Sequence, residues 1–186
     1  ASKLILKQSH AEKLFEVINS VLAMASITQS ELKSIAVSNG PASFTGLRIG
    51  MSASKGIAQA LSIPIIPVPT FEALALQISS FLPEGTEFII SNKVGRDELY
   101  FAKFQIMGNN YIFREELKIV PIFKLDSIPE DILIYGNAFS SGAEKTDNYR
   151  NISAPDPEFI AKWAVTFGID KMTTDTDFLE PNYIKD

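Results

Sequence analysis

The sequence has 186 residues, 46% of them hydrophobic and 21% charged, which is the composition of a globular protein with a packed core. The formal net charge of −5 and the lack of a basic stripe argue against a protein that binds nucleic acid by itself. Cysteine is absent, which excludes disulfides and thiolate metal sites, and no run reaches the ~20 apolar residues of a membrane span. We therefore expect a cytoplasmic protein with no membrane contact.

The first half of the chain is predicted to alternate strands and helices. Apolar residues at helical spacing predict the first helix, Ser9 is its expected N-cap, and Glu12 completes a capping-box pattern. The predicted elements are a strand at 3–7, a helix at 10–25, a strand at 34–38, a helix at 47–61, a strand at 63–68 and a helix at 70–81.

The second half is predicted to contain several strands in a row. Pro83-Glu84-Gly85 is the clearest turn signal, so we expect a first domain at 1–84 and a second at 85–186, whose tail can return to the first. Gly108-Asn109-Asn110 predicts a hairpin turn. The predicted elements are strands at 87–91, 98–106, 111–120 and 131–135 and a helix at 158–167. This pattern indicates an α/β fold with mixed sheets.

The most informative local pattern is the run from Gly40 to Gly50, between a predicted buried strand and a predicted helix. Glycines let the backbone approach a ligand, and the start of a helix offers free N–H groups to a phosphate. On these residues alone, a tight turn capped by a hydroxyl is the favoured interpretation over an anion site. The candidate phosphate-binding residues are Gly40, Pro41, Ser43, Thr45 and Gly46.

This run resembles the Gly-Pro-Gly-Ser-Phe-Thr-Gly-Leu-Arg-Ile-Gly signature of the TsaB (YeaZ) family, with Ala42 in place of one glycine. Four further segments are similar to the family, so the resemblance covers essentially the whole chain. They are Ala53-Ser54-Lys55-Gly56-Ile57-Ala58, Val68-Pro69-Thr70-Phe71-Glu72-Ala73-Leu74, Gly95-Arg96-Asp97-Glu98-Leu99-Tyr100 and Glu180-Pro181-Asn182-Tyr183-Ile184-Lys185.

The resemblance implies the fold of actin, sugar kinases and Hsp70, a ribonuclease H-like pair of α/β domains with mixed sheets flanked by helices. The family opens with a strand of the type Ile-Asp-Thr-Ser, which nothing here matches, so we expect the first domain to lack its opening strands and residues to be missing upstream. Lys93 stands where the family often carries Asp, which puts a phosphate or magnesium role at that position in doubt.

The resemblance also implies a protein that is not itself an enzyme. The catalytic paralogue, TsaD, places two metal-ligating histidines four residues apart, and the matching positions here are Thr70 and Leu74. Leucine cannot ligate a metal, and the chain has one histidine, His10, whose place at the start of a helix favours a capping or interface role over that of a metal ligand. We therefore expect no catalytic residue, no metal site and no cofactor of its own.

The implied role is that of a partner to TsaD in forming N6-threonylcarbamoyladenosine at tRNA position 37, in a larger complex with a TsaE-type ATPase. Binding to tRNA would be indirect, and ATP or ADP at the partner interface is an open option. The alternative is a homodimer when TsaD is absent. The candidate interface residues, from two helices with apolar or small residues at helical spacing, are Leu14, Val17, Ile18, Val21, Gly50 and Ser54.

Three other functions are compatible with parts of the sequence. A small-molecule kinase or ATPase would use the cleft of the same fold. A metallopeptidase would need a metal, or a nucleophile with a base, and one histidine serves that poorly. A generic interaction module in another pathway would need no site chemistry at all.

Overall fold

The computed structural model describes residues 10–139, 147–177, 179–182 and 184, with side chains from residue 13 onward. The expected strand at 3–7, the Ser9 cap and the side chain of His10 lie outside the described residues. The described elements, in chain order, are α1 (His10–Ala25), β1 (Ile35–Gly40), α2 (Phe44–Leu61), β2 (Ile65–Pro69), α3 (Thr70–Ser79), β3 (Glu87–Lys93), β4 (Glu98–Met107), β5 (Asn110–Pro121), β6 (Leu133–Gly136), β7 (Tyr149–Arg150) and α4 (Pro157–Phe167).

Each helix and strand predicted within these residues is present. For most of them, both the first and the last residue lie within two positions of the prediction. The hairpin is confirmed, since Met107 pairs with Asn110 across the turn. Helix α1 begins at His10 and ends at Ala25, as its apolar spacing predicts. Trp163, which falls at helical spacing with Phe159 and Phe167, is a core residue at 1% exposure.

Contacts divide the chain into two compact units. Unit 1 contains the residues up to Thr70 together with Asp156–Asn182, and unit 2 contains Phe71–Pro155. The division falls at Thr70 rather than at residue 84, where the sequence placed it. The segment Asp156–Asn182, which contains α4, belongs to unit 1.

The Pro83–Gly85 turn lies inside unit 2 because it is hydrogen-bonded to the β4–β5 hairpin. The Gly85 N–H donates to the carbonyl of Ile106 at 3.0 Å, and the Glu84 carboxylate accepts the N–H of Gly108. Helix α3, which precedes the turn, packs into the same core as β3 and β4. A strong local turn signal therefore marks a bend within a unit and not the boundary between two.

Unit 1 is built on a parallel pair of strands. β1 pairs with β2 from Ile35↔Ile65 to Ser38↔Val68, and both α2 and α4 pack on this pair. Beyond α4 the chain returns to β2, where Thr173 and Ile65 exchange backbone hydrogen bonds at 2.8 and 2.9 Å. This return brings the C-terminal segment into the same unit as the first strands.

Unit 2 is a five-stranded mixed sheet in the order β5-β4-β3-β6-β7. β3 is antiparallel to β4 and parallel to β6, and α3 packs against the sheet. One core cluster contains residues of α3, β3, β4 and β6, and a second contains residues of β3, β4, β5, β6 and β7. The largest fully buried side chains of the two clusters are Phe71, Leu74, Ile78, Phe88, Ile89, Ile90, Leu99, Phe101, Phe104 and Ile106.

Unit 2 should fold without unit 1, because every buried member of both clusters lies between Phe71 and Tyr149. We expect a fragment of residues 71–155 to unfold in one cooperative transition, since a domain with its own core can fold alone. Far-UV circular dichroism during urea titration would measure this. A fragment that gives no sigmoidal transition would show that the core needs contacts from outside these residues.

Candidate functional site

The motif Gly40–Gly46, called the glycine loop below, connects the end of β1 to the start of α2. Gly40 is buried at a φ of +118°, and a cis peptide bond joins it to the buried Pro41. Ser43 is the N-cap of α2, and its backbone carbonyl accepts the N–H of Leu47 at 2.9 Å. Thr45 and Gly46 are exposed in the first helical turn. The structure therefore brings all five candidate phosphate-binding residues together in one strand-to-helix turn.

The space over Gly40 is taken by the C-terminal segment of the same unit. The Asn182 N–H donates to the carbonyl of Asn39 at 2.6 Å. The Asn182 carbonyl oxygen lies 2.8 Å from the point where a Cβ on Gly40 would stand. Sequence reasoning missed this contact, although the Glu180-Pro181-Asn182 resemblance singled out the segment. Gly40 is thus needed both for its positive φ and for the close approach of the chain's own backbone.

Thr70 and Leu74, where the catalytic paralogue is expected to carry histidines, both lie on α3. Thr70 is 3% exposed, and its hydroxyl is hydrogen-bonded to that of Ser38. Leu74 is fully buried in the apolar cluster around Phe71 and Phe88. Leu74 cannot ligate a metal because its side chain is apolar, and the Thr70 hydroxyl is engaged by its hydrogen bond to Ser38.

The first turn of α2 carries an aromatic–cation pair. Phe44 is 52% exposed, and the guanidinium carbon of Arg48 lies 3.9 Å from the centre of its ring. The guanidinium of Arg48 therefore stacks on the ring of Phe44. An exposed pair of this kind contributes about 0.5–1 kcal/mol through the attraction of the cation to the ring face.

Helix α1 carries apolar side chains that unit 1 covers only in part. From Lys13 to Ala25 no side chain of α1 is fully buried. Phe15 and Met24 are 53% and 71% exposed. The candidate interface residues Leu14, Val17, Ile18 and Val21 are all half-buried and lie on one side of the helix.

Helix α2 has apolar or small residues on two sides. Its buried side packs on the strands and contains Leu47, Met51, Ser54 and Ala58. The other side contains the half-buried Ile49, Gly50, Ala53 and Ile57. Ser54 therefore faces the core, which differs from its expected place at the interface. A Cβ on Gly50 or Gly56 would meet nothing within 4 Å, so packing inside the described part of the chain does not require glycine there.

We call five of the six candidate interface residues, namely Leu14, Val17, Ile18 and Val21 of α1 and Gly50 of α2, the partner face, and their role as an interface stays a prediction. Beside it, Val21 lines a groove of about 650 Å³ with α4, whose Pro157, Ala161 and Val165 contribute apolar atoms. The Glu158 carboxylate pairs with the Lys162 ammonium at 2.6 Å along this groove, and the pair lowers the pKa of Glu158.

In unit 2, the carboxyl ends of the parallel strands β3 and β6 carry asparagines in a closed hydrogen-bond network. Asn92 is 8% exposed; its amide donates to the carbonyl of Ser153 at 2.9 Å and accepts the N–H of Asn137 at 3.0 Å. The amide oxygen of Asn137 in turn accepts the N–H of Lys93 at 2.7 Å. Ligands of α/β proteins bind at such strand ends, and here neutral side chains bonded to backbone occupy the edge.

Two features are absent from the residues that the structure describes. These residues contain no group of three or more acidic or histidine side chains placed to hold a metal ion. No helix within them combines the length and the apolar character that crossing a bilayer needs.

Comparison with known proteins identifies the family. A family model described as TsaD, tRNA N6-adenosine threonylcarbamoyltransferase, matches residues 4–152. The tRNA threonylcarbamoyladenosine biosynthesis protein TsaB of Haemophilus influenzae is 22% identical over 97% of this chain and 82% of its own length. The protein of the same name from Buchnera aphidicola is 27% identical over 67% of this chain and 58% of its own length.

A solved structure supports the fold. YeaZ from Pseudomonas aeruginosa aligns with a TM-score of 0.77 at 19% identity, covering 97% of this chain and 87% of that one. The expected actin-like fold and the resemblance to TsaB are both confirmed. The chain therefore belongs to the family that the TsaD model describes, and it is a TsaB/YeaZ-type member of that family.

Proposed function

We propose that this chain is the non-catalytic partner of a TsaD-type threonylcarbamoyl transferase in the cytoplasm, and that it supports the formation of N6-threonylcarbamoyladenosine in tRNA. The relatives from Haemophilus influenzae and Buchnera aphidicola carry this pathway in their names. Its contribution is to bind the transferase through the partner face. The transferase supplies the metal and the catalytic side chains.

The observation that carries the proposal is the state of Leu74. The resemblance places the second metal-ligating histidine of the catalytic paralogue at this position, and here the side chain is apolar and fully buried. The first position, Thr70, holds a hydroxyl bonded to Ser38. The sequence offers a single histidine and no cysteine as further ligands. A zinc- or iron-type centre needs several such groups around one point.

The partner face supports binding as the mode of action. The half-buried aliphatic side chains of α1 lie beside exposed apolar ones, for example Phe15, which is 53% exposed. Glycine inside a helix costs roughly 1 kcal/mol relative to alanine. Gly50 and Gly56 carry this cost where a Cβ would meet no neighbour, so close approach by another molecule is a physical reason for them. A packed seam of two helices from each protein fits this surface.

Three further parts of the proposal follow from the same assembly. A nucleotide, ATP or ADP, would bind at the partner interface and not within this chain. A TsaE-type ATPase would join the larger complex, and tRNA would be held mainly by the other components, because this chain has a net charge of −5. Without the transferase, the same partner face would form a symmetric homodimer.

The decisive experiment is genetic. We expect deletion of the gene to abolish N6-threonylcarbamoyladenosine in bulk tRNA, measured by mass spectrometry of digested nucleosides, and a plasmid copy to restore it. A deletion strain that keeps a wild-type level of the modified nucleoside would refute the proposal. Purified chain that transfers threonylcarbamoyl to tRNA without the transferase would refute its non-catalytic part.

A further inference from the structure

The C-terminal segment Leu179–Asn182, called the strap below, packs on the glycine loop of its own unit. Its last residue is held by the hydrogen bond from the Asn182 N–H to the Asn39 carbonyl, at 2.6 Å. Pro181 is half-buried, whereas the Glu180 and Asn182 side chains are exposed, so backbone atoms make the contact. The strap therefore brings together two motifs that lie far apart in the sequence.

Gly40 is shaped to receive this strap. A Cβ at this position would stand 2.8 Å from the Asn182 carbonyl oxygen and 3.3 Å from Cδ1 of Leu47. The first distance is shorter than real Cβ contacts and involves backbone, which cannot swing away as the end of a flexible side chain can. Glycine at position 40 is therefore what lets the strap and the first turn of α2 meet at the same point.

The strap also accounts for the glycine loop without any anion. The Asn182 carbonyl oxygen, a hydrogen-bond acceptor with partial negative charge, occupies the approach to Gly40. An anion at that point would be repelled by this oxygen. The backbone freedom that the sequence suggested for a phosphate is thus used for an internal contact.

We propose that the strap is a positioning device: it fixes the glycine loop and the start of α2 in the conformation that the partner binds. This inference rests on the proposed function for the identity of the partner, but the contact itself belongs to the isolated chain. Ser43, the N-cap of α2, lies three residues after Gly40. The Phe44–Arg48 pair and Gly50 follow it in the first two turns of α2. Loosening the loop would let the first turn of α2 fray and would lower the population of the binding conformation.

The test removes one N–H group. Asn182→Pro deletes the donor to Asn39, and Asn182→Ala keeps it while trimming an exposed side chain. Glu180→Pro is the control for proline itself, because it leaves the Asn182 N–H in place. A net hydrogen bond is worth about 1 kcal/mol, so we expect deuterium uptake in the peptide spanning 39–47 to become roughly fivefold faster in Asn182→Pro alone. Deuterium uptake at the wild-type rate in Asn182→Pro would show that the strap does not hold the glycine loop.

The affinity for the purified TsaD-type partner gives the second readout. We expect its Kd to rise, by at most roughly fivefold, for Asn182→Pro and to be unchanged for Asn182→Ala. Faster deuterium uptake with an unchanged Kd would overturn the positioning role. A wild-type chain that binds no partner would overturn the proposed function, and the uptake measurement would still decide whether the strap holds the loop.

Discussion

Replacing Gly136 with alanine is expected to unfold unit 2 or to lower its free energy of unfolding by more than about 3 kcal/mol, from strain and steric overlap together. Gly136 ends β6 at a φ of +140°, where alanine is strained. Its Cβ would stand 1.9 Å from the Ser91 carbonyl oxygen and 2.9 Å from Oδ1 of Asn92. Both neighbours belong to β3, the strand that pairs with β6 in parallel.

The overlap cannot be relieved locally, because the atoms around Gly136 are tied on several sides. Ser91 is fully buried and pairs with Phe101 on β4 as well as with Gly136. The Gly136 carbonyl accepts the hydroxyl proton of the buried Tyr149. Moving β6 away from β3 would therefore break the sheet and open the second core cluster, which contains Ile134 and Tyr149.

Gly85→Ala is the matched control in the same unit. Gly85 has a φ of +78°, but a Cβ there would meet nothing within 4 Å. The free energy of unfolding of this variant should therefore fall only by the cost of placing alanine in a left-handed backbone conformation, about 1 kcal/mol. Urea unfolding followed by far-UV circular dichroism measures both variants. A Gly136→Ala protein as stable as Gly85→Ala would show that the β3–β6 contact is much looser than the structure describes.

Replacing Val17 with aspartate is expected to prevent complex formation with the TsaD-type partner, if the partner face is where that protein binds. Val17 lies among the half-buried aliphatic residues of α1. An unpaired carboxylate buried at an interface costs roughly 3 kcal/mol or more, which raises Kd by more than about a hundredfold. Comigration on size exclusion at micromolar concentration, followed by calorimetry, measures the loss.

Ala23→Asp provides the matched control on the same helix. At 3.6 residues per turn, Ala23 lies on the side of α1 opposite to the centre of the partner face, and it is exposed. It introduces the same charge and should leave Kd within about twofold of wild type, since an exposed charge contributes little. Equal losses in the two variants would contradict the placement of the interface.

Folding of the two variants can be checked with the single tryptophan of the chain. Trp163 is 1% exposed in unit 1, with Phe167 and Lys171 beside its ring, so its emission reports on the core of that unit. An unshifted emission maximum in Val17→Asp, together with a lost complex, assigns the effect to binding. A Val17→Asp chain that is folded and still binds normally would show that the partner face is not the binding surface.

The sequence predictions that succeeded are those that depend on contacts between residues near one another in the chain. The β4–β5 hairpin and the extent of α1 depend on residues a few positions apart, so turn residues and apolar spacing were sufficient. The motif run at Gly40 was enough to predict a strand-to-helix turn and the family. Each of these predictions depends on residues that are close to one another in the sequence.

Other features depended on contacts between distant segments. Pro83-Glu84-Gly85 has the composition of a domain boundary, yet hydrogen bonds to the β4–β5 hairpin place it inside unit 2. Ser54 has a size that suits a helix interface, yet the rotation of α2 on the strands turns it toward the core. Neither the hydrogen-bond partners nor the rotation can be read from the local pattern.

The sequence by itself determined the α/β class, most elements and the family, because periodicity, turn chemistry and a long motif are local properties of the chain. Only the tertiary structure decided that the units divide at Thr70, that α4 and the strap return to unit 1, and that Asn182 fills the space over Gly40. The physical reason is that a glycine permits a close approach without specifying what approaches. Folding, by bringing distant backbone together, makes that choice.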